Sequence, residues 1–483
     1  MEFKYHFARV VLQTLTLTMV YIAFHPVSFL IRWILPKIAA FCGKKDYKKL
    51  VERSNVPLAS LAYVEANSSI LVTATVKGPL PLERLKFAFA ETVKRPEYEK
   101  MTQIPSPFLG YLFWRADDNF KINQHIEEME ISGSKTNRVD EIKNKLLESG
   151  YPMGTSPWRI YLLRNTGSGC DTIFFKFHHS LTDGYSLLHL LVYEICNVDD
   201  ISKTSDSSTL TERKSIFHRI KSCVQYVLLL LQASIMLSLS SVILPEKNPL
   251  HHLPREKMCL NSKFHLVSSQ TSLQVVKNAK NQWNCSFPAA VLTGIREALR
   301  DAMFALDKRN ITREVLGIIP IRIPERPSFI TNHWSPVLIS IPTWQSSRKG
   351  ECITMLNSQL KSKRTEAAPM FMMGQIVGGL PSFLLPFTGY TDVDAVTFCY
   401  SDFPGPIRPI DIVGQRVISF DFIANLPIGN MGIMLCASSY QGAWKINLLV
   451  DAAIIPENQN AQKFVDSVRD SIVDLAIEKS GGI

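Results

Sequence analysis

The chain has no cysteine pair at C-x-x-C spacing, although Cys42, Cys170, Cys196, Cys223, Cys259, Cys285, Cys352, Cys399 and Cys436 are all present. An odd, scattered set of nine argues against a disulfide framework and against a structural zinc site. Buried thiols in a reducing compartment fit better. The sequence also lacks a charged tail, and its net charge of +10 is diluted over 483 residues. Basic residues form no stripe interleaved with aromatics, so no nucleic-acid partner is expected. What remains is a weak preference for anionic surfaces or phosphate-bearing ligands. A secretory signal is not expected in the N-terminal apolar stretch, because a shorter apolar core and a small-residue cleavage site both fit it poorly. No short repeat is visible.

Hydrophobic residues are plentiful at 46%, enough for a large core. The N-terminal run "ARVVLQTLTLTMVYIAFHPVSFLIRWILPKIAAF" is long enough to span a bilayer. Pro26 near its middle removes a helical hydrogen bond, which predicts a kinked span or a hairpin of two short halves. Its downstream flank, with Lys37, Lys44, Lys45, Lys48 and Lys49, is much more basic than its upstream one, so positive-inside logic places the rest of the chain in the cytosol. A second apolar run, Cys223 to Leu244, has basic residues on both flanks.

Between and after these runs the pattern is globular. "SSILVTATVKG", "NFKINQHIEEMEI", "WRIYLLRN" and "DTIFFKF" read as strands, and "LPLERLKFAFAETV" and "RVDEIKNKLLESG" as helices. Near the C-terminus, Phe464, Val468, Ile472, Leu475 and Ala476 form one helical stripe. The alternation predicts an α/β fold.

The segment "DTIFFKFHHSLTDGYSLL" carries the chemistry. On a strand, Ile173, Phe175, Phe177 and His179 share one face, and Phe174, Lys176 and His178 the other. The two histidines therefore cannot chelate one metal ion, and no metal is expected. At the end of an aromatic face His179 would be held neutral, as a general base toward a hydroxyl must be. Asp183 is placed to cap the following helix, and Gly184 allows close backbone approach. The bland alternative is a strand–turn–helix corner with incidental histidines. "HHLPREK" at His251 shows that paired histidines alone carry little meaning.

"HHSLTDG" resembles the H-H-x-x-x-D-G signature of the CoA-dependent acyltransferase superfamily, which includes chloramphenicol acetyltransferase and condensation domains. From about Leu58 onward the chain is most similar to the wax ester synthase/acyl-CoA:diacylglycerol acyltransferase family. "SPWRIYLL" is similar to that family's Pro-Leu-Trp segment, and "LGIIPIRIPERPSFITNHWSPVLISIPT" to its second-lobe strand pair, with Asn332 at the Gly-Asn position. "SDFPGPIRPIDIVGQRV" is similar to its Asn-Val-Pro-Gly-Pro segment, with Asp402 where the family usually has Asn. Pro288-Ala289 stands where an Asn-Asp pair is expected.

The resemblance implies a two-lobed, chloramphenicol acetyltransferase-like α/β fold with a tunnel between the lobes. It implies His179 as base, with His178 beside it, and Asp183 as a largely structural residue paired with an arginine. Gly184 would keep the tunnel open, and Asn332 would be a polar contact near the reacting carbonyl or a plain turn asparagine. Acyl-CoA would be a co-substrate and no cofactor is needed. The acceptor would be a fatty alcohol or diacylglycerol, and the site that of a membrane enzyme of the endoplasmic reticulum facing the cytosol.

The expected layout is 1–53 as membrane anchor and basic flank, 54–200 as first lobe, 201–262 as linker with a membrane-associated helix, and 263–483 as second lobe. Two other readings stand beside this one: carrier-dependent condensation, and a silent lipid-binding protein of the same fold. No carrier or adenylation partner is visible, and the intact His179 and Asp183 oppose a silent role.

Overall fold

The computed structural model describes residues 2–59, 63, 68–129, 138–167, 169–196, 224, 225, 227–235, 248–251, 264–306, 312–344, 349–388, 396–406, 408–425 and 431–478. Its strands in chain order are β1 (Tyr47–Leu50), β2 (Ser69–Lys77), β3 (Gln103–Phe108), β4 (Tyr111–Ala116), β5 (Ile126–Met129), β6 (Trp158–Gly167), β7 (Cys170–His178) and β8 (Phe264–Ser272). They continue as β9 (Glu314–Arg322), β10 (Trp334–Pro342), β11 (Phe398–Phe403), β12 (Asp411–Ile412), β13 (Gln415–Ala424), β14 (Ile433–Tyr440) and β15 (Ala443–Asp451). Two six-stranded sheets, ordered β12-β13-β2-β7-β6-β5 and β10-β9-β11-β14-β15-β8, define two lobes, with a small β1-β4-β3 sheet alongside.

Strand β7 sits inside the first sheet because it has nothing to expose. All nine of its residues are buried, between β2 and β6, both antiparallel to it. Phe177 stacks on Trp158 at 5.6 Å, and Phe175 packs near Phe89. Lys176 points the other way and is also buried, donating to the Ser149 and Gly150 carbonyls just past the helix Arg138–Glu148. Burial lowers that ammonium to about 7, and Arg159 adds to the effect. In the second lobe, the predicted C-terminal stripe is real: Phe464, Val468, Ile472 and Leu475 of helix Asn458–Ile477 are buried with helix Phe287–Leu306 against the sheet.

Three expectations are corrected. The boundary at 263 does not separate the sheets, because β13 pairs with β2 in the first lobe, Phe420 opposite Ala74 and Phe422 opposite Val72. Its alternation explains this: Phe420 and Phe422 enter the first core, while Asp421 is buried against Lys143 at 3.2 Å and Lys445 at 2.7 Å. Burial alone would raise that carboxyl, but the two ammonium groups hold it at about 2. One carboxylate thus ties the helix Arg138–Glu148, β13 and β15 together. Secondly, "NFKINQHIEEMEI" is a strand only from Ile126, after a 3-10 turn at Ile122–Gln124. The turn seats the buried His125 on Trp158, with ring centroids 4.4 Å apart. Thirdly, the N-terminal helix runs unbroken from Glu2 to Phe41 through Pro26 and Pro36, so no hairpin forms. Each proline removes one helical bond, whereas reversing the chain would open a whole turn of backbone groups.

The end of this helix is docked. Leu35 and Ala39 are buried against Tyr111 and Phe113, Arg32 donates to the Val51 carbonyl (2.6 Å), and Ser28 donates to that of Gly379 (3.0 Å). Of the second apolar run, residues 227–235 are helical, and most of the rest lies outside the described residues. Ala233 joins the core of the first lobe, while Val224, Val227, Leu228 and Ile235 are exposed.

Candidate active site

Two segments meet where the lobes face each other: the turn after β7 and the loop leading into β10. Past the end of β7 the two histidines diverge. His178 is fully buried; its Nδ1 accepts the Ser180 backbone N–H (3.1 Å), and its ring stands edge-on to Tyr151 at 5.8 Å. It builds the turn. His179 is half-buried, tied by its backbone N–H to the Ser68 carbonyl (2.8 Å), and its ring lies toward Trp334, 6.2 Å between centroids.

Asp183 caps the helix Gly184–His189 by accepting from the Ser186 backbone N–H (2.8 Å). The same carboxylate reaches across the seam. It pairs with Arg326 and accepts the His333 backbone N–H at 2.9 Å. Arg326 also donates to Ser186 Oγ and to the Thr331 carbonyl, and its guanidinium lies 4.8 Å from the Tyr185 ring. One motif aspartate therefore fixes the whole loop 326–333 of the second lobe, and with it the neighbouring Asn332.

Asn332 is buried, and its side chain is fully engaged. Its Oδ1 faces His179 Nδ1 at 3.2 Å and accepts from Trp334 Nε1 at 3.3 Å, while its Nδ2 donates to the His179 carbonyl and to Asn55 Oδ1 (3.1 Å). The indole is only a donor and the carbonyl only an acceptor, so the orientation of the amide is fixed. His179 Nδ1 faces an oxygen and must carry the proton. That leaves Nε2 as the nitrogen with a free lone pair. With both amide hydrogens engaged, Asn332 has none left for a substrate carbonyl, so the expected contact is replaced by an orienting one.

Burial lowers the His179 pKa, and the Asn332 hydrogen bond, Asp183 charge and Thr182 backbone bond offset only part of that. The sign follows directly. A depressed pKa keeps the imidazole neutral to lower pH, so the acidic limb of a kcat–pH profile should fall below the ordinary histidine value of about 6.5. A limb at or above that value would contradict the burial argument.

Gly184 borders a small apolar cavity lined by Ile70, Val72, Leu188, Phe403, Phe420 and Phe422. A Cβ there would meet Phe403 at 3.6 Å, so a larger side chain would fill the space. The turn after Phe403 lies against β14, where a Cβ on Gly405 would fall 1.9 Å from the Ser439 carbonyl oxygen. Asp402, beside Phe403, has its carboxyl raised to about 7 by burial. No group of three or more potential metal-ligating side chains occurs among the described residues.

Sequence reasoning brought His179, Asp183, Gly184 and Asn332 to one place but missed two partners. Arg326 is one of two arginines in "RIPERPSFITNH", and only geometry separates it from Arg322, which lies over Tyr185. Asn55 lies far from the motif in sequence, in a turn that carries no signal of its own.

Two sheet-and-helix lobes meeting at H-H-x-x-x-D-G define the class of CoA-dependent acyltransferase folds. Within that class the chain belongs to the wax ester synthase/diacylglycerol acyltransferase family. The family's catalytic-domain model matches residues 62–244, and its C-terminal domain model matches 331–475. Among solved structures, the fold is similar to a wax ester synthase/diacylglycerol acyltransferase from Marinobacter aquaeolei VT8, at 12% identity over 89% of this chain and 99% of that one, TM-score 0.59. It is also similar to the starter condensation domain of rhizomide synthetase in complex with C8-CoA and Leu-SNAC, at 10% identity over 92% and 96% of the two chains, TM-score 0.61. Among curated sequences, a provisionally named diacylglycerol O-acyltransferase of Mycobacterium tuberculosis is 30% identical over 74 residues, which is 15% of this chain and 15% of that protein.

Proposed function

We propose that the protein transfers a long-chain acyl group from acyl-CoA to the hydroxyl of a fatty alcohol or diacylglycerol, giving wax ester or triacylglycerol. The observation that carries this reading is the oriented, neutral His179 at the seam of a fold whose family is named for that chemistry. His179 Nε2 takes the proton of the acceptor hydroxyl as the oxygen attacks the thioester carbonyl. Collapse of the tetrahedral intermediate breaks the C–S bond, and the imidazolium returns the proton to the CoA thiolate. No acyl-enzyme is required. The cysteines favour this route: burial raises Cys196 and Cys399 to about 12, and Cys285 and Cys352 to about 11, so none of these is a ready thiolate. The test is an acyltransfer assay on membranes carrying the protein, with several acyl-CoA donors and with fatty alcohol and diacylglycerol in competition. Absence of ester from every pair would overturn the reading.

The acceptor is insoluble, and a bilayer position for the site follows from its chemistry. Ile22–Phe41 is apolar enough to cross a membrane, and only 18% of its apolar window is buried. Leu109 and Phe383 are each more than 60% exposed, and the exposed Lys44, Lys45, Lys48 and Lys49 follow the helix. On this reading the lobes face the cytosol at the endoplasmic reticulum. The run from Cys223 to Leu244 does not cross, because His179 and Asp183 precede it and Asn332 follows it. Accessibility reporters near Ser207 and Asn261, in membranes of known orientation, should report the same face. Opposite faces would exclude a shared site.

A further inference from the structure

The residues that hold Asn332 continue into a chain that passes through Asn55 and Glu52, which lie outside both matched family domains. Asn55 Nδ2 donates to Glu52 Oε2 at 3.1 Å, and Asn55 Oδ1 accepts from Asn332. Glu52 is held in turn by Trp114 Nε1 at 3.0 Å and by the Lys100 ammonium at 3.2 Å. Lys100 is almost wholly buried, and Glu52 is its ion-pair partner. Lys100, Glu52, Asn55, Asn332 and His179 thus form one line of donors and acceptors. A carboxylate can only accept, so it turns the Asn55 amide hydrogens toward itself and the Asn55 oxygen toward Asn332. Asn332 then directs its own hydrogens to Asn55 and its oxygen to His179 Nδ1.

The turn Arg53–Asn55 that carries this relay is clamped in place. A Cβ on Gly378 would lie 1.7 Å from the Arg53 carbonyl oxygen, so only glycine lets the two backbones meet there. Ser54 Oγ donates to the Asn332 carbonyl at 3.2 Å. Arg32 of the N-terminal helix donates to the Val51 carbonyl, one residue before Glu52.

We propose that Glu52 and Asn55 are positioning residues that, through Asn332, lock His179 in the tautomer with the proton on Nδ1 and the base at Nε2. This rests on the acyltransfer reading for its kinetic consequence and on geometry alone for the tautomer. Without Asn55, one Asn332 amide hydrogen would be buried with no acceptor. Trp334 Nε1 and the His179 carbonyl still oppose a full turn of the amide, so Asn332 shifts instead, its oxygen loses its hold on His179 Nδ1, and the tautomer whose Nε2 is protonated, which is no base, becomes accessible.

The experiment compares full-length wild type with Asn55→Leu, similar in volume, and Asn55→Asp, which keeps the oxygen toward Asn332 and can share a proton with Glu52. Asn55→Leu should lose about tenfold in kcat, the size of one unpaired buried donor, with KM for acyl-CoA unchanged. Asn55→Asp should recover most of that loss. In parallel, protein with 15N-labelled imidazoles, the His179 signal assigned by its loss in His179→Ala, should show one Nδ1–H tautomer in wild type and mixed tautomers in Asn55→Leu. Equal losses in both Asn55 variants, or an unchanged tautomer in Asn55→Leu, would overturn the relay. An inactive wild type with the expected tautomer signals would count against the acyltransfer reading and leave the relay supported.

Discussion

Replacing His179 with alanine should remove most acyltransfer, a loss of about 10²–10⁴-fold in kcat, while acyl-CoA binding survives. The loss falls on kcat because the imidazole acts on the acceptor proton in the transition state. His178 supplies the contrast. It is buried, and its Nδ1 accepts a backbone hydrogen bond in the turn, so asparagine, which keeps an acceptor oxygen, should leave the protein active and somewhat less stable. Steady-state kinetics on the two purified variants separates the roles. Loss of activity in His178→Asn with activity intact in His179→Ala would reverse the assignment.

The second large effect should come from Asp183. Alanine there strips Arg326 of its partner inside the seam, where the guanidinium side chain is only 10% exposed. An uncompensated buried charge of this kind costs about 3–5 kcal/mol. The same change frees the His333 backbone N–H and the loop that presents Asn332, so kcat should fall along with the unfolding midpoint. Arg326→Ala should destabilise similarly. The double variant should be less destabilised than the two single losses combined, because no charge is left stranded. Strict additivity in thermal unfolding would mean that the pair contributes no coupling across the seam.

The motif was legible because its information is local. The strand alternation that separates His178 from His179, and the aspartate that caps the next helix, each act within a few residues. The same holds for the C-terminal helix stripe, whereas the strand pair β9–β10 was legible through the family resemblance. What the sequence could not convey is which distant groups complete the site. His179 and Asn332 are 153 residues apart, and the Asn332 amide is spent on orienting the histidine rather than on the substrate. The resemblance pointed to Asn332 but could not supply its direction. Nor could alternation reveal that β13 returns to the first sheet, since Phe420, Asp421 and Phe422 would read identically as a strand of either lobe. The buried Lys143 and Lys445 beside Asp421 decide that placement, and no pattern within β13 predicts them.

Direct transfer at His179 is the central claim, and a rapid-quench experiment with labelled acyl-CoA tests it most closely. Enzyme in excess over donor is mixed with and without an acceptor alcohol, and ester, free CoA and protein-bound label are followed together. Direct transfer predicts that ester and CoA appear at one rate, that His179→Ala slows both together, and that no label is found on the protein when the acceptor is omitted. A burst of CoA with label retained on the protein would contradict it.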